Sequence, residues 1–149
     1  MEYPLITKES EYLLGLIYKR YLELRASGSS REDARRVGSS DFISQQIMPE
    51  NTPEDITDLM RELHNAELVD CFYAEEGVSE SELTNFGIIV MENRCHNKIS
   101  EVVSFLSSLA SFIPQLLSNL PQYGPPPSAS IVCVAFHQIR MQCSSADHP

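Results

Sequence analysis

The sequence predicts a mainly α-helical chain carrying one small β-hairpin, followed by a long C-terminal helix, and three observations predict it. Apolar residues recur at helical spacing along much of the chain up to residue 120. A Ser or Thr stands ahead of several of these stretches, where its side-chain oxygen can satisfy a backbone N–H that the helix leaves unpaired. Between residues 68 and 83 the pattern changes to strand-favouring residues around Glu75-Glu76-Gly77.

Thr7 is placed to cap the first helix, whose apolar positions Tyr12, Leu13, Leu16, Ile17 and Leu24 run to a stop at Gly28. Leu14, Tyr18, Tyr21 and Leu22 widen that surface beyond one stripe, so this helix is expected between neighbours, at the centre of the core. Ser29 and Glu32 stand in capping-box spacing ahead of a short helix over 31–37. Ser39 and Ser40 offer a cap for a third, Asp41 to Met48, with Phe42, Ile43 and Ile47 on one face. Pro49 closes it, because the residue before a proline is pushed out of the α region. The fourth start is the clearest: Thr52 as cap, Pro53 at the first position, where no N–H is missed, and Asp55 to complete the box. Ile56, Leu59, Met60 and Leu63 then form a core-facing stripe.

Leu68 to Ala74 and Val78 to Leu83 read as two strands, with Gly77 able to take the positive φ that their turn needs. Thr84 caps a further helix beginning near Asn85-Phe86-Gly87, which the sequence gives no reason to stop before Ile113. In its second half Ile99, Val102, Leu106, Leu109, Ile113, Leu116 and Leu120 follow spacings of three and four, a seam that pairs helices side by side. Two placements satisfy that seam: a dimerisation helix packed on, or swapped onto, a second copy, or a helix folded back on its own domain. Pro114 interrupts it. The chain thus divides into 1–94, the helix-and-hairpin domain; 95–120, a dimerisation or packing helix; and 121–149, a proline-rich linker with an accessory tail. That tail holds one apolar run, Ile131 to Phe136, and no function is assigned to it.

Composition bounds the function. With 42% hydrophobic and 21% charged residues the chain is globular rather than disordered. No stretch reaches the about 18 to 20 apolar residues that span a bilayer, and Met1-Glu2-Tyr3-Pro4 lacks the features of a secretory signal, so a cytoplasmic protein is expected. Cys71, Cys95, Cys133 and Cys143 include no close pair and read as reduced thiols. The net charge is -10, and seven of the eleven basic residues precede position 37.

Catalytic and metal chemistry find little support. The chain has no nucleophile elbow, Gly-rich phosphate loop or HExxH. Cys95-His96 is a single soft pair, where zinc sites use two, and Glu75 and Glu76 lie in a turn where water keeps both ionised. The expectation is a protein with no enzymatic activity, cofactor or metal.

The Thr52-Pro53 capped helix, the Leu63-His64-Asn65-Ala66-Glu67-Leu68-Val69 passage into a strand, and Leu83-Thr84-Asn85-Phe86-Gly87 after the hairpin resemble the winged helix-turn-helix superfamily. Less specifically, the chain is similar to small uncharacterised winged-helix proteins of Gram-positive bacteria and their mobile elements. The resemblance covers roughly residues 7 to 113 and implies a dimeric DNA-binding regulator of transcription. The charges depart from that pattern. The helix before the hairpin and the wing carry Asp55, Asp58, Glu62, Glu75, Glu76, Glu80 and Glu82 against Arg61, and phosphate affinity comes largely from Lys and Arg. Two functions are therefore carried forward. The first is a dimeric interaction module, with seam Ile99, Val102, Leu106, Leu109 and Ile113, whose acidic helix and wing bind a basic protein surface. The second is a DNA-binding transcriptional regulator meeting duplex DNA through Arg31, Arg35 and Arg36, with Arg61.

Overall fold

The computed structural model describes residues 4–113. In order they form α1 (Lys8–Ala26), α2 (Arg31–Arg35), α3 (Ser40–Gln46), α4 (Pro53–Asn65), β1 (Val69–Ala74), β2 (Gly77–Leu83), α5 (Asn85–Cys95) and α6 (Ile99–Ala110). The described part is thus mainly helical, with one two-stranded antiparallel sheet. None of these helices is long and apolar enough to cross a membrane.

Side-chain caps set most of the helix starts. Thr7, Ser39, Thr52 and Thr84 each accept a hydrogen bond from the backbone N–H three residues on. The cap of α2 is Ser30 rather than Ser29, with Asp33 N–H as its donor at 3.1 Å. Ser29 is drawn into the closing turn of α1 instead, its N–H bonding the Leu24 carbonyl, and so the cap falls one residue later.

The core gathers around α1, where Leu13, Leu14, Ile17 and Tyr18 are fully enclosed. Ile56, Met60 and Leu63 of α4 face it, each contributing about 1.5–3 kcal/mol by leaving water. The strands pair from Val69 opposite Leu83 to Ala74 opposite Gly77, with an irregularity between Phe72 and Tyr73. On the far side of β2, Arg36 forms an isolated bridge with Glu82, and Val37 N–H bonds the Ser81 carbonyl at 2.9 Å. The nearer edge of β1 lies under α4, where His64 Nδ1 sits 3.2 Å from the Val69 carbonyl and 3.3 Å from the Cys71 N–H.

The long helix expected after Thr84 is two helices. α5 ends as His96 and Asn97 turn left-handed, at φ 50 and 59, and Tyr18 donates its hydroxyl to Asn97 Oδ1 at 2.7 Å. The chain then runs back antiparallel to α1: Asn97 meets Tyr18, and Leu106 and Phe105 meet Gly15. Val102, Leu106, Leu109 and Ile113 are therefore buried, and Ile99 half-buried, within their own chain. Of the two placements open in the sequence, α6 takes the folded-back one in the single chain. The continuation of the seam through Leu116 and Leu120, the proline-rich linker and the run Ile131 to Phe136 lie outside the described residues.

Candidate functional site

Because α4 turns its apolar stripe inward, its opposite face carries Glu54, Asp55, Asp58 and Arg61 into water. The hairpin turn brings Glu75 and Glu76 beside that face. Gly77 makes this approach possible: a Cβ there would lie 2.6 Å from Thr57 Oγ1 and 3.0 Å from Ser40 Oγ, and its φ is +125. Between helix and turn runs a groove of about 600 Å³, whose charged lining is Glu54, Asp58, Glu75, Glu76 and Arg61. Tyr73 forms part of its wall. The Arg61 guanidinium is 5.9 Å from the centre of the Tyr73 ring and 3.9 Å from Asp58, while His64 meets the same ring edge-on at 6.0 Å. The one cation among these lining charges is thus turned toward groups of its own chain.

Several residues expected in the acidic face are placed elsewhere. Glu62 reaches the start of α1, where its carboxylate accepts from the Thr7 N–H at 2.6 Å, the Thr7 hydroxyl at 2.9 Å and the Ser10 hydroxyl at 2.5 Å. Partial burial raises the Glu62 carboxyl, but the bonds from Ser10 and Thr7 outweigh it and hold the group below the usual carboxylate range. Glu82 pairs with Arg35 at 3.3 Å. Glu80 lies across from Phe72 and lines a separate hollow of about 330 Å³ with Arg36 and Glu82. Asp55 is exposed on the first turn of α4 but does not line the groove. Glu54 does, and i, i+4 spacing to Asp58 was the signal for it.

A depressed folded-state pKa contributes stability above the unfolded value and loses it as pH falls through the folded one. For Glu62 that loss begins near the free glutamate value of about 4.3 and completes below it. Acid titration of thermal stability is expected to show a fall from pH 4.5 downward that is shallower in Glu62→Gln. An unchanged slope would mean that the clasp on Thr7 and Ser10 contributes nothing.

The arginine face is also largely engaged. Arg35 donates Nε to the Leu83 carbonyl at 2.8 Å besides pairing Glu82. Arg36 is exposed and lies 3.4 Å from Glu32 and 3.9 Å from Asp33. Arg31 is exposed and donates to Asn85 Oδ1 at 2.9 Å.

Among the described residues, no three His, Cys, Asp or Glu side chains converge as metal ligands. Cys95 points into the core while His96 turns out to Glu101, so the Cys95-His96 pair is split. Burial pushes the Cys95 thiol up and the Cys71 thiol to about 11, which keeps both protonated at neutral pH. Compared with protein-family models, curated proteins and solved structures, the chain matches none of them.

Proposed function

We propose that this chain is a non-catalytic winged-helix protein of the cytoplasm that binds a basic protein surface through the groove between α4 and the hairpin. The order of four helices, a hairpin and a following helix supports the winged-helix reading, as does the short bridge at Arg36 in the place of a third strand. In that architecture the groove beside α4 is where a nucleic-acid backbone would run. The observation that carries the choice of partner is the groove's lining of four carboxylates against an arginine already drawn toward Asp58 and Tyr73. Such a surface attracts Lys- and Arg-rich segments and repels phosphate.

DNA binding through Arg31, Arg35 and Arg36 is the competing reading, and it draws less support because Arg35 is committed to Glu82 and the Leu83 carbonyl. One experiment separates the two. The full chain is titrated with a fluorescent Lys/Arg-rich peptide and, separately, with a mixed pool of duplex DNA, each at low and at moderate salt. Peptide binding that weakens with salt and falls about tenfold or more in the Asp58→Lys, Glu75→Lys, Glu76→Lys variant is expected, three solvent-exposed charge pairs being worth up to about 1 kcal/mol each. Salt-sensitive DNA binding that is lost in Arg31→Ala, Arg36→Ala, with no peptide binding, would overturn the proposal in favour of a regulator.

A further inference from the structure

The junction of α5 and α6 differs from every other helix start of the described chain. α1 to α5 each begin behind a Ser or Thr whose side chain bonds a backbone N–H, at Thr7, Ser30, Ser39, Thr52 and Thr84. α6 begins behind Lys98 with no side-chain cap. The junction turns on two successive left-handed residues, His96 and Asn97, where the end of α4 uses one, Glu67; L side chains adopt this conformation at a cost, smaller for Asn and His than for most. From Ile88 to Ile113 the sequence contains neither Gly nor Pro. Ile88, Cys95, Val102 and Leu109 recur every seven residues straight across the junction, and all four are buried.

In these features Asn97 is the one residue suited to end a helix after Cys95, while the buried repeat runs on past it and no side-chain cap starts a new helix at Ile99. In a continuous helix from Asn85 to Ala110 the first N–H groups of α6 would bond the last carbonyls of α5, so no cap would be needed. His96 and Asn97 would return to right-handed geometry. The cost is that α6 leaves its seat on α1, where Leu106 packs on Gly15 closely enough that a Cβ would fall 2.7 Å from it.

We propose that two copies of this chain exchange α6: in each, α5 and α6 fuse into one helix, and α6 seats on α1 of the other copy. The occupant of the vacated seat is a second copy because its α6 reproduces the contacts the chain's own α6 made with α1, within a closed two-fold pair. Contacts that hold the unexchanged form include the Tyr18–Asn97 hydrogen bond, His96 Nδ1 to Glu101 at 2.8 Å, and the Arg94 guanidinium 5.5 Å from the centre of the Phe105 ring. The exchange does not depend on which partner the acidic groove binds.

The test uses the full chain. Light scattering over a concentration series reads the monomer–dimer equilibrium for the natural sequence, for His96→Ala, Asn97→Ala, and for His96→Gly, Asn97→Gly. Alanine favours helix and disfavours the left-handed turn, so its variant is expected to tighten the dimer about tenfold or more, whereas glycine tolerates the turn and shifts the balance toward monomer. The seat is then read by mixing Gly15→Cys chains with Leu106→Cys chains under denaturant, refolding and oxidising them. A covalent pair of unlike chains is expected. Monomers at every concentration in both the natural and the alanine chains would overturn the exchange. So would a dimer whose strength ignores the junction substitutions, because a pair formed on an outer surface has no stake in the turn, and this readout stands even if Gly15→Cys does not fold.

Discussion

Gly87→Ala is expected to destabilise the protein by about 3 kcal/mol, at the upper end of what overpacking costs. A Cβ at Gly87 would lie 2.3 Å from the Leu68 carbonyl oxygen, 3.2 Å from the Leu68 carbonyl carbon and 2.9 Å from Leu83 Cδ1. Main chain cannot step aside as a flexible side chain can. The Leu68 oxygen is also held in place, since it accepts from the Thr84 N–H at 3.2 Å and shares the Thr84 hydroxyl, at 2.9 Å, with the Glu67 carbonyl at 2.7 Å. Relief requires lifting the first turn of α5 off the base of the hairpin, which would take Ile88 and Met91 partly out of the core. Urea unfolding followed by circular dichroism reads the change. A loss under about 1 kcal/mol would show that α5 slides without resistance and that the close approach is incidental. This geometry also explains the Leu83-Thr84-Asn85-Phe86-Gly87 signature: the threonine caps the helix and ties it to Leu68, and the glycine lets the helix come near enough for that tie to form.

Leu106→Glu is expected to cost about 4 kcal/mol, the sum of lost apolar burial and a carboxylate moved out of water without a partner. Leu106 is 7% exposed and stands against Gly15 in the middle of the α1–α6 contact, with buried Val102 and Leu109 on either side. The substitution should release α6 from α1 before the rest of the domain unfolds. Hydrogen exchange would then show lost protection through residues 99–110 while α4 and the hairpin keep theirs. Uniform loss everywhere would mean that α6 is inseparable from the core. Retained protection in α6 would mean that the seam is not what docks it.

The sequence revealed the helices because their signals are local. Thr7, Ser39, Thr52 and Thr84 each need only a donor three residues away, and the stripe Ile56, Leu59, Met60, Leu63 needs only its own periodicity. What escaped was long-range. The partners of Glu62, Thr7 and Ser10, are more than fifty positions earlier, so a carboxylate read as part of a wet acidic face is occupied in clasping another helix. Arg35 belongs to the same class, since only the folded chain brings it to Leu83 and Glu82. Tyr73 was missed as a groove wall because the irregularity after Phe72 breaks the alternation by which a strand's faces are read. The turn at His96 and Asn97 was missed for a different reason: Asn97, which accepts a left-handed turn, stands without a Gly or Pro beside it, and the apolar spacing continues past it.

His64 has a bearing on how anything could be recognised at this surface. Unpaired N–H and C=O groups along an outer strand invite an extended peptide to join the sheet, a mode of capture that reads backbone and is largely indifferent to sequence. Here His64 Nδ1 engages that border, donating to the Val69 carbonyl in one tautomer or accepting from the Cys71 N–H in the other, and α4 lies over it. A visiting chain therefore cannot be knitted in there as a second neighbour of β1. Under the proposed function, a ligand would then be distinguished by its side chains, by where cations fall along it rather than by its capacity to become a strand.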